Sequence, residues 1–453
     1  MSENPVQENK MGVMPIKKLL ITMSLPMMIS MLVQALYNIV DSIFVSQLCE
    51  EAMTAVTLVF PMQNLMVSLA MGTGVGVNAI LSKALGEKKY EDANSAANTG
   101  LLLNFIHFII FFFVGLFLSK AFVMSQNDDP VIVGYGIDYM KVISVLSFGC
   151  FFQVMLERLL QSTGRTSLSM ISQTAGAVIN MILDPIMIFG LFGFPRLEVA
   201  GAALATCIGQ MCASLIGLTL NIKANRDITL SISRIIKPRA DIVGRIYFVG
   251  IPSTLMMAIG SVMTYFMNKI TGKFSSTAQT VFGIYFKLQS FFFMPVFGLN
   301  NGLIPVLAYN YGLGDKKRIK EALRFSVCVA VSIMLAGTVL FELIPQVFLQ
   351  MFKPSEELLR LGIPALRIIG LHYPLAAVAI VLGSVFQAFS KSYFSLFVSL
   401  GRQLVILIPV AWLLSMTGSV TNVWWSFPIS EVVSLMLTVI FFTVVKRTVI
   451  DRL

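Results

Sequence analysis

Apolar residues run in blocks of about twenty along most of the chain, broken by short polar stretches. A helix of that length crosses a hydrocarbon core. The pattern predicts twelve spans, near residues 16–43, 53–81, 95–119, 131–155, 165–192, 200–221, 243–267, 278–307, 322–343, 359–385, 393–416 and 424–445. A chain inside lipid must satisfy its backbone within each segment. The expected fold is therefore an all-α polytopic membrane protein.

Composition agrees. Of 453 residues 56% are hydrophobic and 12% charged, where a soluble protein carries about 25% charge. Basic residues then orient the spans. With the N-terminus inside, the inner segments hold 23 Lys and Arg, Arg158 and Arg165 among them. The outer set is Lys120, Lys141, Arg196, Lys269, Lys273, Lys353, Arg360 and Arg367. Both termini are thus expected to be cytoplasmic, in the cell (plasma or inner) membrane. The net charge of +10 follows from this topology and does not point to nucleic acid. The start, MSENPVQENKMGVMPIKKLL, has no small-residue cleavage site after a short apolar core, so no cleaved signal peptide is expected. Cys49, Cys150, Cys207, Cys212 and Cys328 are scattered without metal spacing and read as small hydrophobes.

The two halves repeat. A shift of 226 places Pro26 on Pro252, Gln63 on Gln289, Gly72 on Gly298, Gly76 on Gly302, Gly136 on Gly362 and Gln161 on Gln387. LGEKKYEDA at 85–93 also resembles LGDKKRIKEA at 313–322. Six spans per unit give both repeats the same orientation, related by an axis along the membrane normal. The expected units are a lobe over 1–222, a basic linker over 223–242 lying along the inner surface, and a lobe over 243–453. Two such bundles would face each other across a central cleft. Gly72, Gly74 and Gly76 lie inside a span and lack the GK[ST] ending of a phosphate loop, which excludes that reading. The basic hairpins set topology or bind anionic lipid headgroups.

Polar residues inside the spans are the candidate chemistry. In Ser24–Asp41, Ser30, Gln34, Tyr37 or Asn38, and Asp41 share one helix face. Asp41 either marks the membrane boundary or is an ion or proton site. Asn180 and Asp184 are also four apart, and Pro185 leaves a carbonyl in the preceding turn without its amide. Asp41, Asp184 and Thr206 are expected at similar depth. Two carboxylates in one dry cavity repel unless a proton or cation lies between them, and oxygen ligands favour a hard cation such as sodium. The repeat shift carries Asp41 to Met267, Asn180 to Ile406 and Asp184 to Val410, so one half alone carries these acids. Lys287, Arg402 and Glu431 in the second half are either structural pairs or cleft residues. Tyr37 and Tyr139 offer ring faces to organic cations, Met27 and Met31 belong to a flexible methionine wall, and with Gln34 and Asn38 these are the candidate residues of a substrate cavity.

These residues resemble the multidrug and toxic compound extrusion (MATE) family, among its bacterial DinF-like and MepA-like exporters. The resemblance rests on Pro26 with Asp41, on Asn180-Asp184-Pro185, on GAALAT ending at Thr206, and on the glycine-rich segments leading to Gly86 and Gly314. It implies two six-helix lobes around a cavity and export of amphipathic, often cationic compounds against inward sodium or protons. It further implies a cation site at Asp41, Asn180, Asp184 and Thr206, with Tyr37, Tyr139 and a hinge at Pro26 linked to its rearrangement. No enzyme activity and no cofactor beyond the coupling ion are expected, nor any metal beyond sodium. The expected partners are organic cations and membrane lipids, and the expected state is a monomer. The alternative is a flippase of lipid-linked or polar biosynthetic precursors, which Lys287 and Arg402 keep open.

Overall fold

The computed structural model describes residues 9–352 and 354–453; Lys353 of the outer basic set and the first eight residues of the polar start lie outside these. All regular elements among the described residues are helical. Ten helices are long and apolar enough to cross a membrane, and two further spans are helix pairs bent by 45°. In order, spans 1 to 3 are Ile16–Ser46, Glu50–Gly86 and Tyr90–Phe117, and span 4 is Pro130–Val145 with Phe148–Ser162. Spans 5 and 6 are Thr166–Phe189 and Glu198–Ala224. Spans 7 to 9 are Ala240–Gly272, Ser276–Leu313 and Lys316–Leu343, and span 10 is Glu356–Gly370 with Tyr373–Ala388. Span 11 is Ser392–Ser415 and span 12 lies within Val420–Arg452. All twelve apolar windows became spans.

Two local features escaped the apolar count. Spans 4 and 10 break at 146–147 and 371–372, one residue from the repeat shift. In span 10 Pro374 opens the second half-helix, where its missing N–H costs nothing. In span 11 residues Gly401–Leu407 are wound as π-helix, a widened turn that often marks a functional stretch.

The halves meet through glycines that the repeat makes equivalent. A Cβ added at Gly72 would lie 2.7 Å from Gly250 O, and one at Gly76 2.4 Å from Ile246 O, so span 2 lies backbone to backbone on span 7. Their counterparts Gly298 and Gly302 press span 8 onto span 1 at Met28 and Ser24, where Ser24 Oγ also donates to Leu299 O at 3.3 Å. At the end of the molecule that carries Asn9 and the C-terminal residue Leu453, Gly86 would meet Tyr309 O at 2.0 Å and Gly312 would meet Lys83 O at 2.1 Å. Gly86 and Gly312, like Lys83 and Tyr309, are 226 apart, so this contact is reciprocal, as across a twofold axis. Gly86 therefore corresponds in space to Gly312 rather than Gly314, which caps span 8 at a positive φ of 77°.

The same end is strapped. The short helix Lys10–Val13 is held on one side by Asn9 Nδ2, which donates to Thr163 O at 3.1 Å. On the other side Arg318 Nη2 donates to Met11 O and Met14 O at 2.9 and 2.8 Å. The basic linker is tied down as well. Ser231 N donates to Asn98 Oδ1 at 2.8 Å, Arg239 pairs with Asp92 at 2.6 Å, and Arg165 pairs with Asp227. Its helix Ile232–Ile236 leaves Ile232 and Ile236 exposed on one face, which suits a membrane surface.

Candidate functional site

Spans 5 and 6 cross where both carry glycine. A Cβ on Gly176 would lie 2.9 Å from Gly209 O, one on Gly209 2.7 Å from Gly176 O, and one on Gly201 2.5 Å from Met187 O. This close approach brings Asn180 beside Thr206. The Asn180 orientation that satisfies both ends of the amide puts its nitrogen 3.3 Å from Asp184 Oδ2, while its oxygen accepts from Thr206 Oγ1 at 3.2 Å. Asn180, Asp184 and Thr206, predicted as a group, are brought together. Asp184 is fully buried. Pro185 sits inside a helix that continues to Phe189, so Met181 O lacks its usual amide partner.

Asp41 faces this group from span 1 and acts on Asp184 electrostatically. Its Oδ1 is buried without a hydrogen-bond donor. Tyr139 is buried, and its hydroxyl lies 3.4 Å from Gln63 Oε1; the Tyr37 and Tyr139 hydroxyls lie within electrostatic range of both acids. Gln34 is bound to span 5, accepting from Gln173 Nε2 at 3.1 Å. Asn38 is exposed. Span 1 is one helix through Pro26. The carbonyl that Pro26 frees, Thr22 O, lies 3.4 Å from Thr166 Oγ1 of span 5, so a neighbouring hydroxyl replaces the missing amide. Among the described residues no three His, Cys, Asp or Glu side chains cluster as transition-metal ligands. The oxygens of Asp41, Asp184, Asn180 and Thr206 suit a proton or a hard cation.

A cavity of about 430 Å³, lined by none of these residues, lies between the halves and extends into the second. Met31, Met71, Val75 and Arg158 line it from the first half; Met256, Phe293, Asn301 and Gln387 are among the lining residues of the second. Of the wall residues read from the sequence, Met31 lines it and Met27 is core, 1% exposed. Tyr37 and Tyr139 belong to the acid group instead. Arg402 and Glu431 both line the cavity and are paired at 3.1 Å, leaving Glu431 Oε1 buried without a donor. Lys287 is exposed and does not line the cavity. Arg158, counted among the inner topology residues, is instead 3% exposed on the cavity wall. Its position within the apolar run CFFQVMLERLLQ was the signal that would have found it.

The geometry has close relatives. The MatE family profile matches residues 26–186 and again 252–413, so its two matches start 226 residues apart. A FAD transporter of Shewanella oneidensis is 28% identical over 92% of this chain and 92% of its own length. The multidrug export protein MepA of Staphylococcus haemolyticus is 26% identical over 96% and 95%. Among solved structures, a MATE in the straight conformation superposes with a TM-score of 0.92 at 25% identity, covering 99% of this chain and 100% of that one. A transporter of the MOP superfamily from Pyrococcus furiosus, described as having a binding pocket of reverse polarity, gives 0.90 at 25% identity over 97% and 98%. The chain belongs to the MATE family, and is a multi-pass, secondary-active membrane transporter rather than an enzyme.

Proposed function

We propose that this transporter exports amphipathic compounds by alternating access, driven by inward sodium or protons at Asp41, Asn180, Asp184 and Thr206. The observation that carries the reading is the Asn180 link between Asp184 and Thr206, facing an Asp41 oxygen that has no donor. A cation or proton entering there neutralises repelling carboxylates. That free energy favours whichever arrangement of span 1 closes around it, with Pro26 as the bend. The lobes extend over 1–222 and 243–453, joined by 223–242, with both termini cytoplasmic and the chain acting as a monomer. The reciprocal glycine contact at the terminal end then makes this an arrangement closed toward the cytoplasm.

Organic cations are the first reading of the cargo, supported by the relatives named as multidrug export proteins. A second reading, anionic cargo such as lipid-linked or polar precursors, is favoured by Arg158 on the cavity wall and by the relative named as a FAD transporter; Arg402 lines the same cavity but is paired with Glu431. The test is efflux of a fluorescent organic cation from vesicles carrying the purified protein, with sodium and pH gradients imposed separately. Wild type is expected to respond to at least one gradient, and D41N and D184N to neither. Gradient-driven efflux that survives both substitutions sinks the coupling site.

A further inference from the structure

Two guanidiniums line the central cavity, and their charges are treated differently. Arg402 has the Glu431 carboxylate at 3.1 Å. Arg158, 3% exposed, has no carboxylate within 4.0 Å among the described residues. Its Nη1 donates to Gln161 Oε1 at 2.9 Å and to Asn301 Oδ1 at 3.1 Å, and its Nη2 lies 3.3 Å from the Met71 sulfur. Neutral amide oxygens satisfy the geometry of these N–H groups; the buried Glu157 next in sequence acts on the charge through space but makes no ion pair with it, its carboxylate accepting from Gln153 Nε2 at 2.9 Å instead. An arginine cannot relieve its burial by losing its proton.

The position is built. Gly74 makes room for the side chain, since a Cβ there would lie 2.7 Å from Arg158 Cγ. Gln161 is aimed at the guanidinium because its own Nε2 donates to Ser169 Oγ at 3.0 Å. Met71, Phe293 and Phe297 supply apolar and aromatic wall on the same cavity.

We propose that Arg158 is an anion anchor: the cavity takes a molecule with an aromatic or apolar body and a carboxylate or phosphate that docks on this guanidinium. The proposal deepens the second cargo reading above and rests on it. A planar fork of donors matches such an anion bidentately, whereas a cationic head placed there meets like charge at low dielectric. Asn301 belongs to span 8 and Arg158 to span 4, so their hydrogen bond also joins the halves. An arriving anion replaces Asn301 Oδ1 as the acceptor and releases that link, which ties cargo charge to the opening of the seam.

The experiment is equilibrium binding to the purified full-length protein, read by flavin fluorescence, with riboflavin and flavin mononucleotide as probes. They share one ring system and differ by a phosphate. Wild type is expected to bind flavin mononucleotide at least tenfold tighter, a difference of about 1.4 kcal/mol. In R158Q that preference is lost while riboflavin affinity stays within twofold, which also reports an intact cavity; R158K, which keeps the charge, retains part of it. N301A, which removes the competing acceptor, keeps or strengthens it. Equal affinities in wild type, no flavin mononucleotide binding at millimolar concentration, a preference surviving in R158Q, or parallel loss of both probes in R158Q and R158K would each overturn the proposal. D41N separates the two readings: it is expected to keep the phosphate preference and lose gradient-driven export. In wild type, export without the preference sinks the anchor alone, and the preference without export sinks the transport cycle alone.

Discussion

Gly86→Ala tests the seam between the halves. The added Cβ would lie 2.0 Å from Tyr309 O, against about 3.4 Å for an ordinary contact, so the helices must part by about 1.4 Å. The obstacle is backbone of a 38-residue helix, which cannot rotate aside as a side chain can. Overpacking of this kind costs about 1–3 kcal/mol. Only the arrangement in which the halves touch bears that cost, because Gly86 faces the other half. The equilibrium toward opening at the terminal end therefore shifts by about 5- to 150-fold. Hydrogen exchange of the purified protein reads this out: protection is expected to fall in 83–89 and 309–316 and to hold in spans 5 and 6. Gly312→Ala, which would lie 2.1 Å from Lys83 O, should do the same, and Gly283→Ala, with nothing within 4 Å, should do neither. Unchanged protection at 309–316 in Gly86→Ala would show that the reciprocal contact is not close-packed. A uniform loss across all spans would show that it belongs to the general core.

Three further outcomes follow from the contacts. Arg318→Ala removes charge-assisted hydrogen bonds to Met11 O and Met14 O, worth about 3 kcal/mol together; proteolysis within residues 9–14 should speed up while the spans stay intact. Arg402→Ala leaves Glu431, 3% exposed in its side chain, without its partner, at a cost of about 3 kcal/mol. Adding Glu431→Gln should restore much of that loss in thermal unfolding, and additive losses would refute the pairing. Lys10 is held below the ordinary lysine range by burial and then by Arg165. The folded state therefore binds fewer protons than the released strap between the lowered pKa and 10.5, and attachment of the N-terminal helix should strengthen as pH rises through that window. Lys10→Gln should flatten the pH dependence of proteolysis there; an unchanged profile would rule Lys10 out.

Much of the architecture was legible because lipid imposes a simple rule: a segment that crosses must be long, apolar and helical. The twelve windows, the repeat at 226 and the Asn180-Asp184-Thr206 grouping all follow from residue type and spacing along a helix of known pitch. Reading the bends at 146–147 and 371–372 was beyond that rule, since hydropathy does not change across them. Asn38 shows a limit of the same kind: periodicity put it near the acid face, but packing of span 1 against span 5 chose Tyr37 and left Asn38 exposed.

Sequence by itself determined what each span could carry: a carboxylate in span 1, an amide and a carboxylate four residues apart in span 5, glycines at equivalent positions in each half. Which groups meet was decided in three dimensions. The crossing at Gly176 and Gly209 sets Asn180 against Thr206, and the fold of the second half pairs Arg402 with Glu431. Arg158 illustrates the division best. Its place inside an apolar run marked it as buried within a span, but only the packing of span 4 against span 8 set it on the cavity wall, because a charge takes its meaning from what surrounds it as well as from its place in the chain.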